Sequence, residues 1–193
     1  IRMNDRNDSS GYHKLAIINS AQCTGCGICV GACPTDAIDL KGGYNGEQVF
    51  GAVKGALSQE KQNGSPVTVL FASHRDEALG GLPAELNVSK EKAPVAVATV
   101  GGEEAARVIT AVLPSISAVN IEWIKSLHTA GARDVVLLSH PYDDGVYRED
   151  AHWILSRLHS RHALVTKEVH WLETTPGNPK TVLNFLTDLH RSE

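Results

Sequence analysis

The sequence predicts two unlike parts: a small α+β module built around a cysteine loop, and behind it a larger α/β domain with a parallel sheet and helices on both faces. Three observations carry this. All four cysteines fall within one short stretch, Cys23-Thr-Gly-Cys26-Gly-Ile-Cys29-Val-Gly-Ala-Cys33-Pro34. From Pro66 onward, runs of β-branched residues and leucine alternate with stretches of helical spacing, and that alternation points to a parallel sheet covered by helices. The length, 193 residues, suits one ordinary domain plus a small appendage, and 42% hydrophobic residues with only 5% aromatics suit an aliphatic core.

Taken in order, residues 1–12 are polar and read as an arm or linker. Lys14–Asn19 is apolar and β-branched, a strand that leads into the cysteines, and Ala37–Leu40 is its expected partner. These close a module over residues 13–42, too small to bury a core alone. The run itself is C-x2-C-x2-C-x3-C-P, the spacing of bacterial ferredoxins, whose thiolates hold a [4Fe–4S] cluster. Two intervening residues let successive sulfurs curl inward. Gly25, Gly27, Gly31 and Ala32 let the backbone come close, and glycine permits the positive φ of a tight loop. Zinc sites usually set a long spacer between two C-x2-C pairs, and disulfides between near neighbours would constrain little. The predicted metal ligands are therefore Cys23, Cys26, Cys29 and Cys33, and the predicted cofactor is a 4Fe-4S cluster.

How many clusters they serve stays open. In two-cluster ferredoxins the fourth cysteine of such a run ligates the other cluster. With no fifth cysteine here, either all four thiolates close on one cluster, or a second run in an upstream segment or a partner shares the ligation. The ligand-sharing rule favours the second arrangement, and a start at Ile1 rather than Met leaves room for such a segment.

Lys41–Gly46 reads as a turn, and Val49, Phe50, Val53 and Leu57 then mark a connecting helix within residues 43–65. The α/β domain is expected over residues 66–193. Val67–Phe71, Ala93–Val100, Arg107–Leu113 and Asp134–Ser139 read as strands buried on both faces. Ile121, Ile124 and Leu127 share a helix face, with Gly131 as its stop. Ala151, Ile154, Leu155 and Leu158 give another helix. Ala163–Trp171 alternates as a strand with one wet side. Asn178 as N-cap and Pro179 at the first helical position open a last helix carrying Val182, Leu183, Leu186 and Leu189. Residues 82–92 give no readable pattern. The sum is a three-layer, flavodoxin- or Rossmann-like domain.

That domain is poor in chemical signals. Gly80-Gly81 and Gly101-Gly102 match neither phosphate-binding glycine pattern and read as turns. His140, at the end of a predicted parallel strand, is the one histidine placed where α/β ligands bind. His152, His159, His162 and His170 read as surface residues, Asp143 and Asp144 as turn residues, and Trp123, Trp153 and Trp171 as core. Arg157, Arg161 and Lys167 read as a wet face. A net charge of −4 and a pI near 6.1 leave no footprint for nucleic acid. No apolar run approaches a membrane span and no signal peptide opens the chain, so a cytoplasmic protein is expected, with room for peripheral attachment to a membrane complex.

A cysteine run followed by this domain resembles the iron–sulfur delta subunit of methyl-viologen-reducing hydrogenase, a domain also fused behind ferredoxin modules in heterodisulfide reductase A-like proteins and quinone-interacting oxidoreductases. The likeness rests on element order over about residues 65–191 and on the segment Val119–Pro141. It implies an electron-transfer subunit or carboxy-terminal portion of such a complex, with flavin- or iron–sulfur-containing redox partners and no substrate chemistry of its own. The delta domain also carries a [2Fe–2S] cluster on strand-end cysteines. Here those places hold Ser73, His74, Pro114, Ser115, Ser139 and Asp144, and no cysteine follows Cys33, so no [2Fe–2S] cluster is expected in the α/β domain. The alternative from another class is a flavin- or nucleotide-binding module near Ser73, Pro114 and His140, with a structural or sensory cluster.

Overall fold

The computed structural model describes residues 2–5, 13–23, 25, 27–33, 38, 46–64, 66–73, 80–86, 88, 95–100, 106–139, 156 and 168–191. Its strands are β1 (Arg2–Asp5), β2 (Lys14–Ile17), β3 (Val67–Ser73), β4 (Val95–Val100), β5 (Ala106–Leu113), β6 (Asp134–Ser139) and β7 (Val169–Glu173). Its helices are α1 (Ile28–Ala32), α2 (Gly46–Gln62), α3 (Ile121–Ala130) and α4 (Pro179–Arg191). Five strands form one mixed sheet in the order β4-β5-β3-β6-β7, and β1 and β2 form a separate antiparallel ribbon.

β3 is central and every residue of it is buried. The two-residue period of a strand divides its side chains between two cores. Val67, Val69 and Phe71 join Ile109, Ala111, Leu113, Val135 and Leu137 on one face, under Val49, Val53 and Leu57 of α2 and Ile121, Ile124 and Leu127 of α3. Leu70 and Ala72 join Val108, Val136 and Leu138 on the other, under Val182 and Leu186 of α4. Leu82 and Leu86, from the stretch that gave no pattern, fill the same second core around a short 3₁₀ turn at Ala84–Leu86. Phe50 of α2 stacks on Trp123 of α3, centroids 4.9 Å apart and rings within 8° of parallel, and Trp123 is buried as expected of a core residue.

Several expectations are corrected. The sheet is not wholly parallel: β4 runs antiparallel to β5, with Val100 opposite Ala106. It is a half-exposed strand, Val97 being 41% exposed, where burial on both faces was expected. Only five residues separate β4 from β5, and a parallel connection needs a dozen or more. The arm expected over residues 1–12 contains β1, which pairs with β2 from Arg2 opposite Ile17 to Asp5 opposite Lys14. Arg-Met-Asn-Asp carries no strand pattern; its pairing comes from the backbone ladder along β2. The strand expected over Ala163–Trp171 is observed at Val169–Glu173, parallel to β6. Ala163–Lys167, the helix expected around Ala151–Leu158 apart from Ser156, Gly101-Gly102, and the partner strand Ala37–Leu40 apart from Ile38 lie outside the described residues. Trp153, His152, His159, His162, Arg157, Arg161 and Lys167 lie outside them too. The connecting helix does more than link: α2 is part of the first core. Among the described residues no helix is long and apolar enough to cross a membrane.

His170 also departs from expectation. Its Nε2–H donates to Asp134 Oδ1 at 2.8 Å, because the pairing of β7 with β6 brings the two together. Arg133 Nε–H donates to the other Asp134 oxygen at 2.7 Å. Burial pushes the Asp134 carboxyl up, yet the hydrogen bonds from His170 and Arg133 outweigh it and hold the group below its ordinary value. Arg133 Nη2–H further donates to Leu189 O at 3.0 Å and to His190 Nδ1 at 2.7 Å, tying down the end of α4.

A second polar clamp joins α2 to the sheet edge. Arg107 donates through Nε and Nη2 to both oxygens of buried Glu60, and through Nη1 to Thr99 Oγ1. The Arg107 hydrogen bond is the main reason the Glu60 carboxyl lies below the usual range, against a smaller opposing effect of burial. Such a carboxylate stabilises the fold above its unfolded pKa of about 4.3, and that stabilisation is lost as pH falls through the lower folded value. Arg107→Ala is expected to destabilise by about 2 kcal/mol at pH 7, since it strands a buried carboxylate. In urea denaturation followed by circular dichroism, the gap between Arg107→Ala and the unaltered chain should narrow below about pH 4; a gap that does not change with pH would contradict the clamp.

Candidate metal centre

The cysteine loop is delivered by β2 and a side-chain-locked turn. Asn19 Oδ1 accepts from Ala21 N–H at 3.1 Å, its Nδ2 donates to Gln22 Oε1 at 3.0 Å, and Gln22 N–H donates to Asn19 O at 3.1 Å. Cys23 leaves that turn exposed to solvent. Gly25 and Gly27 then take left-handed backbone, φ 68° and 84°, which only glycine adopts readily. Gly27 begins α1, its carbonyl accepting from Val30 N–H at 2.9 Å and Gly31 N–H at 3.1 Å. Cys29 stands half-buried in the first turn of α1, and Cys33 closes the helix, buried, its N–H donating to Val30 O at 3.1 Å.

What α1 rests on is a loop of the larger domain. Between β5 and α3, residues 114–120 form a short 3₁₀ turn at Ile116–Ala118 that lies against the carboxyl ends of β3 and β6 and against α1. In open α/β sheets that edge is where ligands bind; here the chain's own cysteine helix is seated there. The seat is built from backbone. A Cβ at Gly31 would stand 2.1 Å from Ser117 O and 2.9 Å from Val119 O, and one at Gly27 would stand 2.8 Å from Ala118 Cβ. Asn120 adds the polar link: its Nδ2–H donates to Cys33 O at 2.8 Å while its Oδ1 caps α3 by accepting from Glu122 N–H at 2.8 Å. The loop is itself pinned, Ser73 Oγ–H donating to Pro114 O at 3.2 Å and the Ser115 and Ser117 hydroxyls lying 2.6 Å apart.

Cys23, Cys29 and Cys33 thus lie along one loop and none of the three is joined in a disulfide; Cys26 lies outside the described residues. Among the described residues no three His, Cys, Asp or Glu side chains stand together as an ion-holding group. The loop fits an iron–sulfur cluster by its donors, soft sulfur ligands, and by its two left-handed glycines, the backbone conformation a tight cysteine loop needs. Of the other candidates, His74, His140, Asp143 and Asp144 lie outside the described residues. Ser73, Ser115 and Ser139 are buried. Sequence reasoning missed Asn120, whose only sequence signal is its place as an N-cap before Ile121. Its second partner is 87 positions away.

The seat can be tested by adding a methyl group. Gly31→Ala drives a Cβ into backbone oxygens that cannot yield cheaply, at a cost of about 1–3 kcal/mol. Iron bound after reconstitution should fall while the far-ultraviolet circular dichroism of the larger domain persists. Gly55→Ala in α2, where nothing lies within 4 Å, should leave iron content unchanged and raise stability by up to about 1 kcal/mol.

Comparison with known proteins adds one finding. No curated protein and no solved structure matches the chain significantly. Residues 16–39 match the 4Fe-4S binding domain family. That match covers the cysteine loop and supports 4Fe–4S binding and iron–sulfur electron transfer in general; the loop is joined to a mixed five-stranded sheet with helices.

Proposed function

We propose that the chain is an electron-transfer component of a larger oxidoreductase complex, with Cys23, Cys26, Cys29 and Cys33 as the ligands of a 4Fe-4S cluster. When bound, such a cluster supplies one-electron redox chemistry, with a potential set by burial and by hydrogen bonds to sulfur. The supporting observation is the docking of the cysteine loop. Its Cys23 end is open to solvent, and thus to a redox partner, while its Cys33 end is seated on the strand-end loop of the α/β domain. The chain's own residues present and hold the thiolates; the sheet serves as the platform.

In this reading the domains divide as a ferredoxin-type module over residues 13–42, a joining helix within 43–65 and a flavodoxin-like or delta-subunit-like domain over 66–193, without a [2Fe–2S] cluster. The setting is a heterodisulfide reductase-like or hydrogenase-linked complex in the cytoplasm, with flavin- or iron–sulfur-containing partners. The rival reading, a flavin or nucleotide at the strand ends near Ser73, Pro114 and His140, is less well supported. Ser73 Oγ and the Ser115 and Ser117 hydroxyls are directed at protein partners, and α1 lies on the same loop.

Anaerobic reconstitution tests it. The expected absorption is a broad iron–sulfur shoulder that bleaches with dithionite; zinc, no iron, or added flavin bands would overturn the reading. Cys26→Ser should lose the cluster or leave a three-iron form, and His140→Ala should leave the spectrum unchanged.

A further inference from the structure

We infer that β4 is the contact edge of a homodimer: two copies of the chain pair antiparallel along Val95–Thr99, with Val97 facing its own counterpart across a two-fold axis. This goes beyond the electron-transfer reading and does not depend on a bound cluster.

β4 ends the sheet, with β5 on one side and no described strand on the other. Along such an edge alternate residues turn their N–H and C=O groups outward, where another strand can pair with them. Proteins commonly blunt these edges with charge or proline. β7, at the opposite edge, ends in exposed Glu173, and the β1–β2 ribbon carries Arg2, Asp5 and Lys14. β4 reads Val-Ala-Val-Ala-Thr-Val, with neither a charge nor a proline. Val95 packs against the first core and Ala98 against the second, yet Val97 between them stands 41% exposed.

The residues of the edge point to its occupant. In an antiparallel pair, directly opposite residues share a face, so a two-fold axis normal to the sheet must pass beside a single residue. With Val97 at the axis, Ala96 meets Ala98, and Val95 meets Thr99, a β-branched residue of nearly the same shape. The strand therefore reads alike in both directions from Val95 to Thr99. Moving the axis to Ala98 sets Ala96 against Val100, and moving it to Ala96 sets Pro94, which has no N–H, against Ala98. A strand of another protein would need no such palindrome; a second copy does. Val95, Val97 and Thr99 lie on the face of the first core, so the paired copy also covers the exposed Val97. Each copy uses its uncharged edge in the contact, and assembly stops at two.

The test is sedimentation of the full chain, kept under reductant so that no cysteine bridges two copies. The unaltered chain should give twice its 20.7 kDa mass. Val97→Lys and Val97→Glu each set like charges face to face on the axis. Val97 is exposed within one copy, so neither substitution buries a charge there. Each variant should sediment as a monomer with unchanged circular dichroism. Mixed in equal amounts, the two should recover the dimer mass, because lysine then meets glutamate. An unaltered chain that sediments at 20.7 kDa overturns the inference, as it would if the edge served another protein's strand. So does a dimer that survives both substitutions, which would place the contact elsewhere, for instance on Met3, Leu15 and Ile17 of the ribbon. Monomers that stay apart on mixing would remove Val97 from the axis, and the pairing with it.

Discussion

The contact on which the rest depends is backbone against backbone, where the cysteine helix meets the loop between β5 and α3. A five-residue helix and a two-stranded ribbon cannot bury a core of their own. Their stability has to come from what they touch. Gly27 and Gly31 let the helix settle so close to residues 117–119 that no side chain fits between, and Asn120 closes the contact with a hydrogen bond to Cys33. Van der Waals contact at that distance, with no side chain on Gly27 or Gly31 to splay the surfaces, fixes position more tightly than a looser apolar contact would.

The platform beneath is rigid for a different reason. β3, β5 and β6 send alternate side chains into two separate aliphatic cores, each roofed by helices. A strand packed on both faces cannot slip by one residue without exchanging its two faces, so the register is fixed. The Arg107–Glu60 clamp at one edge, and the Asp134, His170, Arg133 and His190 set at the amino ends of β6, β7 and β3, tie helices α2 and α4 to that sheet. His190 Nδ1 must accept, because an arginine N–H only donates; this leaves His190 Nε2 facing Thr68 Oγ1 at 3.1 Å. The opposite edge of the same sheet is thereby left to carry the metal loop.

Much of this was legible in the residues alone. The cysteine spacing marks its own module, and the runs Val67–Phe71, Arg107–Leu113 and Asp134–Ser139 announce strands buried on both faces. Gly131, left-handed at φ 110°, ends α3 where its position suggests. The illegible parts share a cause: they are set by long-range pairing rather than local pattern. β1 has no strand propensity and exists because β2 offers it a ladder. The direction of β4 was legible in the short interval to β5, but its β-branched composition suggested a buried parallel strand more strongly. His170 found a carboxylate through strand pairing, not through sequence spacing. Asn120 carries only the local signal of a helix cap, and nothing in the neighbouring sequence points to its second partner.

The hairpin that introduces the cysteines carries a consequence of its own. Met3, Leu15, Ile17 and Ile18 are all more than a third exposed, so water-facing hydrocarbon lies in and just beyond the ribbon that leads to Cys23, the most open of the described cysteines. A surface of that kind shortens the approach of another apolar body and drives out solvent when one arrives. Electron tunnelling falls steeply with separation, and dry contact is how two proteins minimise it. The same skin that makes this corner sticky therefore makes it the corner at which charge would cross most easily.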